Sequence, residues 1–504
     1  MTIQPDFETF AAAYNEGKAQ VVWTALAADL ETPVSAMLKL TDGEPYRFLF
    51  ESVEGGAARA RYSIIGLKPD LIWRTRGDKA EINRIARADR HRFSPCSAGA
   101  LASLRALIAE SRIDLPPELP PMASGLYGYF GYEMVRLVER LPNQKPDQLD
   151  IPDSLFVRPS IMAIFDSVKD VVTVVSPAWV EPGVDARAAY ARAAERIADT
   201  VADFERDLPV TRGDNSPVGA ITQPQSNMSR GDYHAMVAKA KDYIAAGDIF
   251  QVVPSQRFRL PFALPPFALY RSLRRLNPSP FMFYLDLDGF SVVGSSPEIL
   301  VRLRDGKVTI RPIAGTRPRG INEEADQALE KDLLSDPKEL AEHLMLLDLG
   351  RNDVGRVAKI GTVKVTQRNV IERYSHVMHI VSNVEGEVGE KFDAVDALLA
   401  GFPAGTVSGA PKVRAMEIID ELEPERRNLY AGGVGYFSAN GSMDTCIALR
   451  TAVVKDGTLV VQAGGGVVLD SDPEAEYQES CNKARAVIRA AEEAIRFASR
   501  NQRH

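Results

Sequence analysis

The sequence predicts an α+β fold, α/β layered, in which a two-half antiparallel β core is covered by helices. Three observations carry that expectation. Asp288-Gly289 and Asp305-Gly306 sit between alternating apolar runs, and Asn440-Gly441 with Asp456-Gly457 repeat the pattern further on. Such dipeptides supply the left-handed backbone that two-residue hairpin turns require. Two helices announce their starts with Asp336-Pro337 and Asp472-Pro473, each a good N-cap followed by the residue best suited to the first helical position. Meanders separated by helices build layered antiparallel cores, not doubly wound parallel sheets.

The chain has 504 residues, 45% hydrophobic and 25% charged, enough for a large core with more than one domain or sub-domain. Lys plus Arg number 60 against 68 Asp plus Glu, a formal charge of −8. With no long basic run, nucleic acid and an anionic membrane are not expected as partners. An anionic substrate must then be met by local Arg, backbone N–H groups or a metal. Cys96, Cys446 and Cys481 are far apart and in no CxxC pattern, which points to a reducing compartment without structural disulfides or zinc. The first twenty residues have no basic segment followed by an apolar one, and no apolar run approaches spanning length, so a cytoplasmic protein is expected.

Taken in order, residues 1–207 form a first region. Segments 46–52, 63–67 and 71–76 read as strands, and 161–166 with 171–176 as a hairpin. Residues 185–207 are Ala-rich and helical, with Tyr190, Ala194, Ile197, Val201 and Phe204 on one side. Residues 208–228 shift to Pro, Gly, Asn, Gln and Ser and read as a linker. The second region, 229–498, opens with a helix from Ser229, with Tyr233, Val237 and Ile244 inward and Gly247 as its stop. A strand over 249–258 follows. In the helix at 335–353, Glu339 stands at the capping-box position, and Leu340, Leu344 and Leu347 form the inward stripe.

The same helix carries Glu339 and Glu342 one turn apart, and the helix at Asp472 carries Glu476 and Glu479 at the same spacing. Two such pairs can hold one hard divalent cation; by spacing alone, two solvated acidic faces are the commoner reading. Gly464-Gly465-Gly466 ends a strand at 458–463 and lets backbone N–H groups approach a carboxylate, although a bulge or turn accounts for such a run about as often. Arg450 can pair with a carboxylate bidentately or be a solvated strand residue. Residues 401–412, GFPAGTVSGAPK, gather glycines and polar donors suited to gripping an anionic or hydroxylated ligand. Glu298 stands at the start of a strand, and 311–320, RPIAGTRPRG, supplies three arginines and a Gly-Thr pair. His376 and His379 are one turn apart if helical; such a pair is more often structural than catalytic. No nucleotide, flavin or pyridoxal fingerprint occurs.

Taken together, these strings resemble the chorismate-utilising enzyme family, specifically its anthranilate-forming large components. The resemblance covers nearly the whole chain and is densest over 247–485, in GDIFQVVPSQRF, NPSPFMFY, SSPEIL, RPIAGTRPRG, ELAEHLMLLDLGRNDVGRV, RYSHVMHIVS, GFPAGTVSGAPK, YAGGVGYF, MDTCIALRTA and AGGGVVLDSDPEAEYQES. It implies the family's layered fold, a regulatory first region and a chorismate-binding catalytic second region. It implies Mg²⁺ on Glu342 and Glu479, supported by Glu339 and Glu476. Chorismate contacts would fall to Gly315, Thr316, Tyr430, Arg450, Gly464, Gly465 and Gly466. His379, Glu298 and Thr406 would be catalytic, with Glu298 assisting loss of the 4-hydroxyl. Ammonia would add at ring carbon 2, and pyruvate would leave as the ring aromatises to anthranilate. Ala314 stands where aminodeoxychorismate synthases carry a nucleophilic Lys, and Gln251 where isochorismate and salicylate synthases carry a water-activating Lys; both favour ammonia as nucleophile. No Cys-His-Glu glutaminase is present in the sequence, so the resemblance implies a partner glutamine amidotransferase subunit and a hetero-oligomer. LFES at 49–52 and NPSPFMFY at 277–284 resemble the tryptophan-inhibited members. That implies L-tryptophan bound by Glu51, Ser52, Asn277, Pro280, Phe281 and Met282. A sheet edge on a Pro-rich turn is the structural alternative.

Overall fold

The computed structural model describes residues 2–41, 43–52, 61–209, 222–374 and 377–501. The hairpin dipeptides act as their chemistry demands. Asp288-Gly289, Asp305-Gly306 and Asp456-Gly457 all take positive φ. They join Phe281–Asp286 to Phe290–Ser296, Ile299–Arg304 to Lys307–Ile310, and Thr451–Lys455 to Thr458–Gly464. At Asn440-Gly441 only the glycine is left-handed, at φ 92°, between Gly433–Ser438 and Met443–Ile447.

Every strand pairing among the described residues is antiparallel, and 21 strands join one hydrogen-bonded network. Strands of the first region pair with one another as a block that joins the second region's strands at two junctions. Arg47–Ser52 lies against Phe281–Asp286, and Gly125–Phe130 against Gly433–Ser438. Helices Ala186–Phe204, Pro266–Leu276 and Pro473–Asn501 cover one hydrophobic cluster. A second cluster is aromatic, with Phe48 stacked on Tyr127 at 4.6 Å between centroids. A third lies beneath Pro337–Gly355 and Ala394–Gly401. No helix among the described residues is long and apolar enough to cross a membrane.

Several elements differ from expectation, each for a physical reason. The strands expected at 63–67 and 71–76 are one strand, Tyr62–Arg76, whose register slips between Pro69 and Leu71. Pro69 cannot donate to the ladder, so a bulge absorbs it. The strand expected at 249–258 breaks at Pro254 into Gln251–Val252, paired with Gly409–Ala410, and Ser255–Pro261, paired with Thr458–Gly464. Asp185 caps Ala186–Phe204, accepting the Ala188 N–H at 2.7 Å. The buried line of that helix runs through Ala189, Ala193, Ile197 and Phe204, with Tyr190 and Val201 at its margins.

Asp336 caps Pro337–Gly355 by accepting the N–H groups of Lys338 and Glu339 at 3.0 and 3.3 Å. The box is not closed, because the Glu339 carboxylate instead accepts from Arg317 at 3.3 Å. The inward stripe is His343, Leu346, Leu347, Gly350 and Val354, whereas Leu344 is 45% exposed. The sheet lies one residue around the helix from where leucine spacing put it. Ser229 caps Arg230–Ala245 with a closed box through Asp232. Of the expected linker, 210–221 lies outside the described residues, and Gln225–Ser226 pairs with Phe258 and Arg259.

Candidate active site

Two helix starts and one strand end bring four carboxylates together. Burial pushes the Glu342 pKa up, and the neighbouring Glu339 and Glu479 push it further. Gln251 Nε2 donates to Glu342 Oε1 at 3.4 Å. Glu476 is raised by burial and then by Glu479. Its Oε1 accepts from Ser471 at 2.7 Å, while its Oε2 is buried with no hydrogen-bond partner. The glycine run closes the gap: a Cβ at Gly465 would sit 2.5 Å from Glu476 Oε2, so only glycine lets the strand approach so closely. Mutually repelling carboxylates around an orphaned buried oxygen are an arrangement that a cation relieves. Among the described residues no three His, Cys, Asp or Glu side chains already converge as a cage. Mg²⁺ does not ask for one, since it keeps several waters and takes one or two carboxylates plus substrate oxygens. Lys483, 2.6 Å from Glu479 Oε1 and 3.0 Å from the Gly464 carbonyl, holds that end of the site in place.

His379 lies on strand Val377–Glu387, not on a helix, and His376 falls outside the described residues. Thr316 stands opposite His379, and the register slips beside Gly315, whose φ of +73° disfavours any side chain. The bulge turns two oxygens onto one ring nitrogen: Nδ1 is 3.1 Å from the Gly315 carbonyl and 3.0 Å from Thr316 Oγ1. A carbonyl only accepts, so the network assigns the proton to Nδ1 and leaves the lone pair on Nε2. Burial, then the Arg450 charge, press the pKa down to about 4 against the opposing Gly315 bond. The imidazole is therefore a neutral acceptor at physiological pH.

Glu298 opens strand Ile299–Arg304 and is 7% exposed. Thr406 Oγ1 donates to Glu298 Oε1 at 3.2 Å, and the Ile313 N–H adds a second, weaker stabilisation of the anion. Burial outweighs both and lifts the pKa to about 8, so this carboxyl carries a proton at pH 7. Thr406 is the one loop donor turned to this group. Lys412 pairs with buried Asp353 at 2.9 Å, and Ser408 donates to the Ala404 carbonyl.

Arg450 leaves strand Met443–Ile447 in a left-handed conformation, φ 47°, with its own carbonyl accepting the Ser295 N–H at 3.3 Å. Burial lowers its pKa from the usual arginine value without discharging it. Among the described residues its guanidinium has no ion pair or hydrogen bond, an arrangement that an anion would relieve. Tyr430 is 8% exposed and is pushed up to about 12 by burial, which outweighs the opposing Arg427 charge. Arg427, paired with Glu423 at 2.6 Å, lies over the Tyr430 ring at 5.3 Å.

A family model described as chorismate binding enzyme matches residues 58–489. The chain belongs to the chorismate-binding enzymes. It is 64% identical over 494 residues to anthranilate synthase component 1 of Cereibacter sphaeroides, covering 98% of this chain and 99% of that protein. The same-named protein of Pseudomonas aeruginosa is 50% identical over 469 residues, 92% of this chain and 93% of its own. Among solved structures, anthranilate synthase component I from Streptococcus pneumoniae superposes with a TM-score of 0.75 at 34% identity, over 92% of this chain and 98% of that one. The menaquinone-specific isochorismate synthase of Escherichia coli, at 20% identity and a TM-score of 0.69 over 96% and 100%, shares the fold.

This chorismate-binding enzyme has a further cavity of about 200 Å³, bordered by Phe50, Glu51, Phe281, Met282, Tyr436 and Cys446. Glu51, Phe281 and Met282 are residues singled out in the sequence. Ser52 sits beside them, paired with Phe281. Asn277 and Pro280 belong to the turn entering that strand, where the Asn277 carbonyl accepts from Ser295 at 2.5 Å. The Glu51 carboxylate is turned to the helix behind: it accepts from Ser63 at 3.0 Å, from Arg274 at 2.6 and 3.0 Å, and from Tyr270. Tyr436 and Cys446 were missed by sequence reasoning, although they lie inside the quoted strings YAGGVGYF and MDTCIALRTA; nothing local tells that their strands face Phe281.

Proposed function

We propose that this enzyme converts chorismate and ammonia to anthranilate, pyruvate and water in a Mg²⁺-dependent reaction. The observation that supports it best is the pairing of opposite proton states in one strand network. Glu298 is protonated and linked through Ile313 to the bulge that holds His379 with its lone pair free. Arg450 and the glycine run suit the pyruvyl carboxylate. Glu342 and Glu479, with Glu339 and Glu476 behind them, would hold Mg²⁺, which when bound neutralises the ring carboxylate and withdraws electrons from the ring. Glu298 gives its proton to the departing 4-hydroxyl as ammonia bonds to ring carbon 2. His379 Nε2 then accepts the proton lost from that carbon as the C3–O bond breaks, and returns it to the methylene carbon of the departing enolpyruvyl group, which leaves as pyruvate; the proton shed by the added ammonia restores Glu298. Ala314, 9% exposed and opposite Ile380, offers no nucleophile for a covalent intermediate, which favours direct amination over the aminodeoxychorismate route.

Ammonia would reach the site from a separate glutamine amidotransferase subunit in a hetero-oligomer, and L-tryptophan would inhibit from the 200 Å³ cavity as feedback on its own pathway. The test is to incubate the purified chain with chorismate, Mg²⁺ and excess ammonium at mildly alkaline pH and follow anthranilate fluorescence. Fluorescence that requires Mg²⁺ is expected; its absence from a folded chain that consumes no chorismate would refute the reading. Adding tryptophan should suppress the signal. Ser52→Phe and Pro280→Ala should keep most activity while raising the half-inhibiting tryptophan concentration about tenfold or more, the loss of roughly 1.4 kcal/mol of binding. Unchanged inhibition in both would remove the cavity as the inhibitor site.

A further inference from the structure

Both hydrogen bonds of the His379 ring fall on Nδ1, so its Nε2 side is steadied by packing. The aromatic neighbour there is Tyr374, whose ring centroid is 5.5 Å from the imidazole at an interplanar angle of 60°. Tyr374 is itself staked from several directions. Its hydroxyl donates to Glu372 Oε2 at 2.8 Å, and Arg311 grips the other oxygen of Glu372. Glu372 stands directly opposite His379 in the ladder. The Tyr374 N–H donates to the Val377 carbonyl at 2.8 Å, and its own carbonyl accepts from Arg319 at 2.7 Å. Arg319 is in turn clamped by Asp326. Tyr374 also lies within electrostatic reach of Arg450 and of Glu298.

We propose that Tyr374 is a positioning residue for His379: held by its backbone bonds to Val377 and Arg319, its ring packs on the imidazole and keeps Nε2 in its direction. The inference rests on the reaction proposed above. A reacting group displaced by about 1 Å can lose about 100-fold in rate, so the ring should matter more than its hydroxyl. Tyr374→Leu keeps apolar bulk without a flat face and should lower kcat by about tenfold to a hundredfold, with the KM for chorismate and the melting midpoint little changed. Tyr374→Phe keeps the face and should restore kcat to within about threefold of the wild type. If Tyr374→Leu does not fold, Tyr374→Met gives the same comparison. Wild-type kcat in the Leu or Met variant, a change confined to KM, or a Phe variant as slow as the aliphatic one would overturn the proposal. Following chorismate consumption keeps the comparison valid whichever product forms. The wild-type product, measured separately, judges the reaction itself.

Discussion

Glu298→Gln is expected to lower kcat by about 100-fold to 10,000-fold, the range typical of removing a positioned general acid. The amide keeps the shape and still takes the Thr406 hydroxyl, but it has no proton to give a departing hydroxyl. Burial favours the protonated form of Glu298 and raises its pKa to about 8. Its stabilising contribution is therefore fully present below the usual carboxylate pKa and is lost as pH rises through about 8. A neutral amide suffers no such loss, so Glu298→Gln should fold at least as well as the wild type at pH 7, and lost activity will not be lost structure. The wild-type rate should fall above about pH 8 as Glu298 ionises, and at the acid end as His379 gains a proton near 4. The alkaline limb should vanish from the residual activity of the Gln variant. A variant with near-wild-type kcat would take the acid role from Glu298.

Glu479→Ala should reduce turnover by at least about 100-fold while the chain stays folded, and Glu342→Ala should do the same. Each removes one carboxylate of the cluster: Glu479 lies against Gly465, and Glu342 feels the Glu479 charge. Glu479 is half-exposed, with Lys483 as its partner, so its loss leaves no buried charge stranded. Glu342 is partly buried beside like charges, so its removal relieves repulsion. Neither variant should be destabilised, and equilibrium Mg²⁺ binding, measured by calorimetry without substrate, should weaken in both. Turnover that survives in either variant would show that its carboxylate does not hold the ion.

Much of the local architecture was readable because it is written in short-range chemistry. The Asp-Gly turns, the Asp-Pro helix starts and the Ser229 cap each depend on neighbours within four residues. The break at Pro254 was equally legible in principle, since a residue without an N–H cannot continue a ladder. Leu344 was misread because leucine spacing defines a stripe but not which flank of it meets the sheet; that is decided by His343 reaching Ser382 and by Gly350 passing Pro312. The proximity of Glu298 to Thr406, and of Glu339 to Gly315, follows from ladder registers between segments far apart in the chain. The engagement of Glu51 by Arg274 was beyond reach for the same reason, as was Tyr374, whose sequence neighbours carry no mark of its ring contact.

The pairing of early with late strands at the two junctions has a consequence for how the chain comes into being. Strand Gly125–Phe130 finds its partner Gly433–Ser438 only after about 300 further residues have been made, some 15 to 60 seconds at ordinary rates of synthesis. Throughout that interval its apolar surface and open edge await a neighbour still unmade, which is the circumstance that invites misassociation. Sequence-distant pairing also slows folding after release. The yield of this enzyme in a cell should therefore depend on chaperones that shield nascent chains.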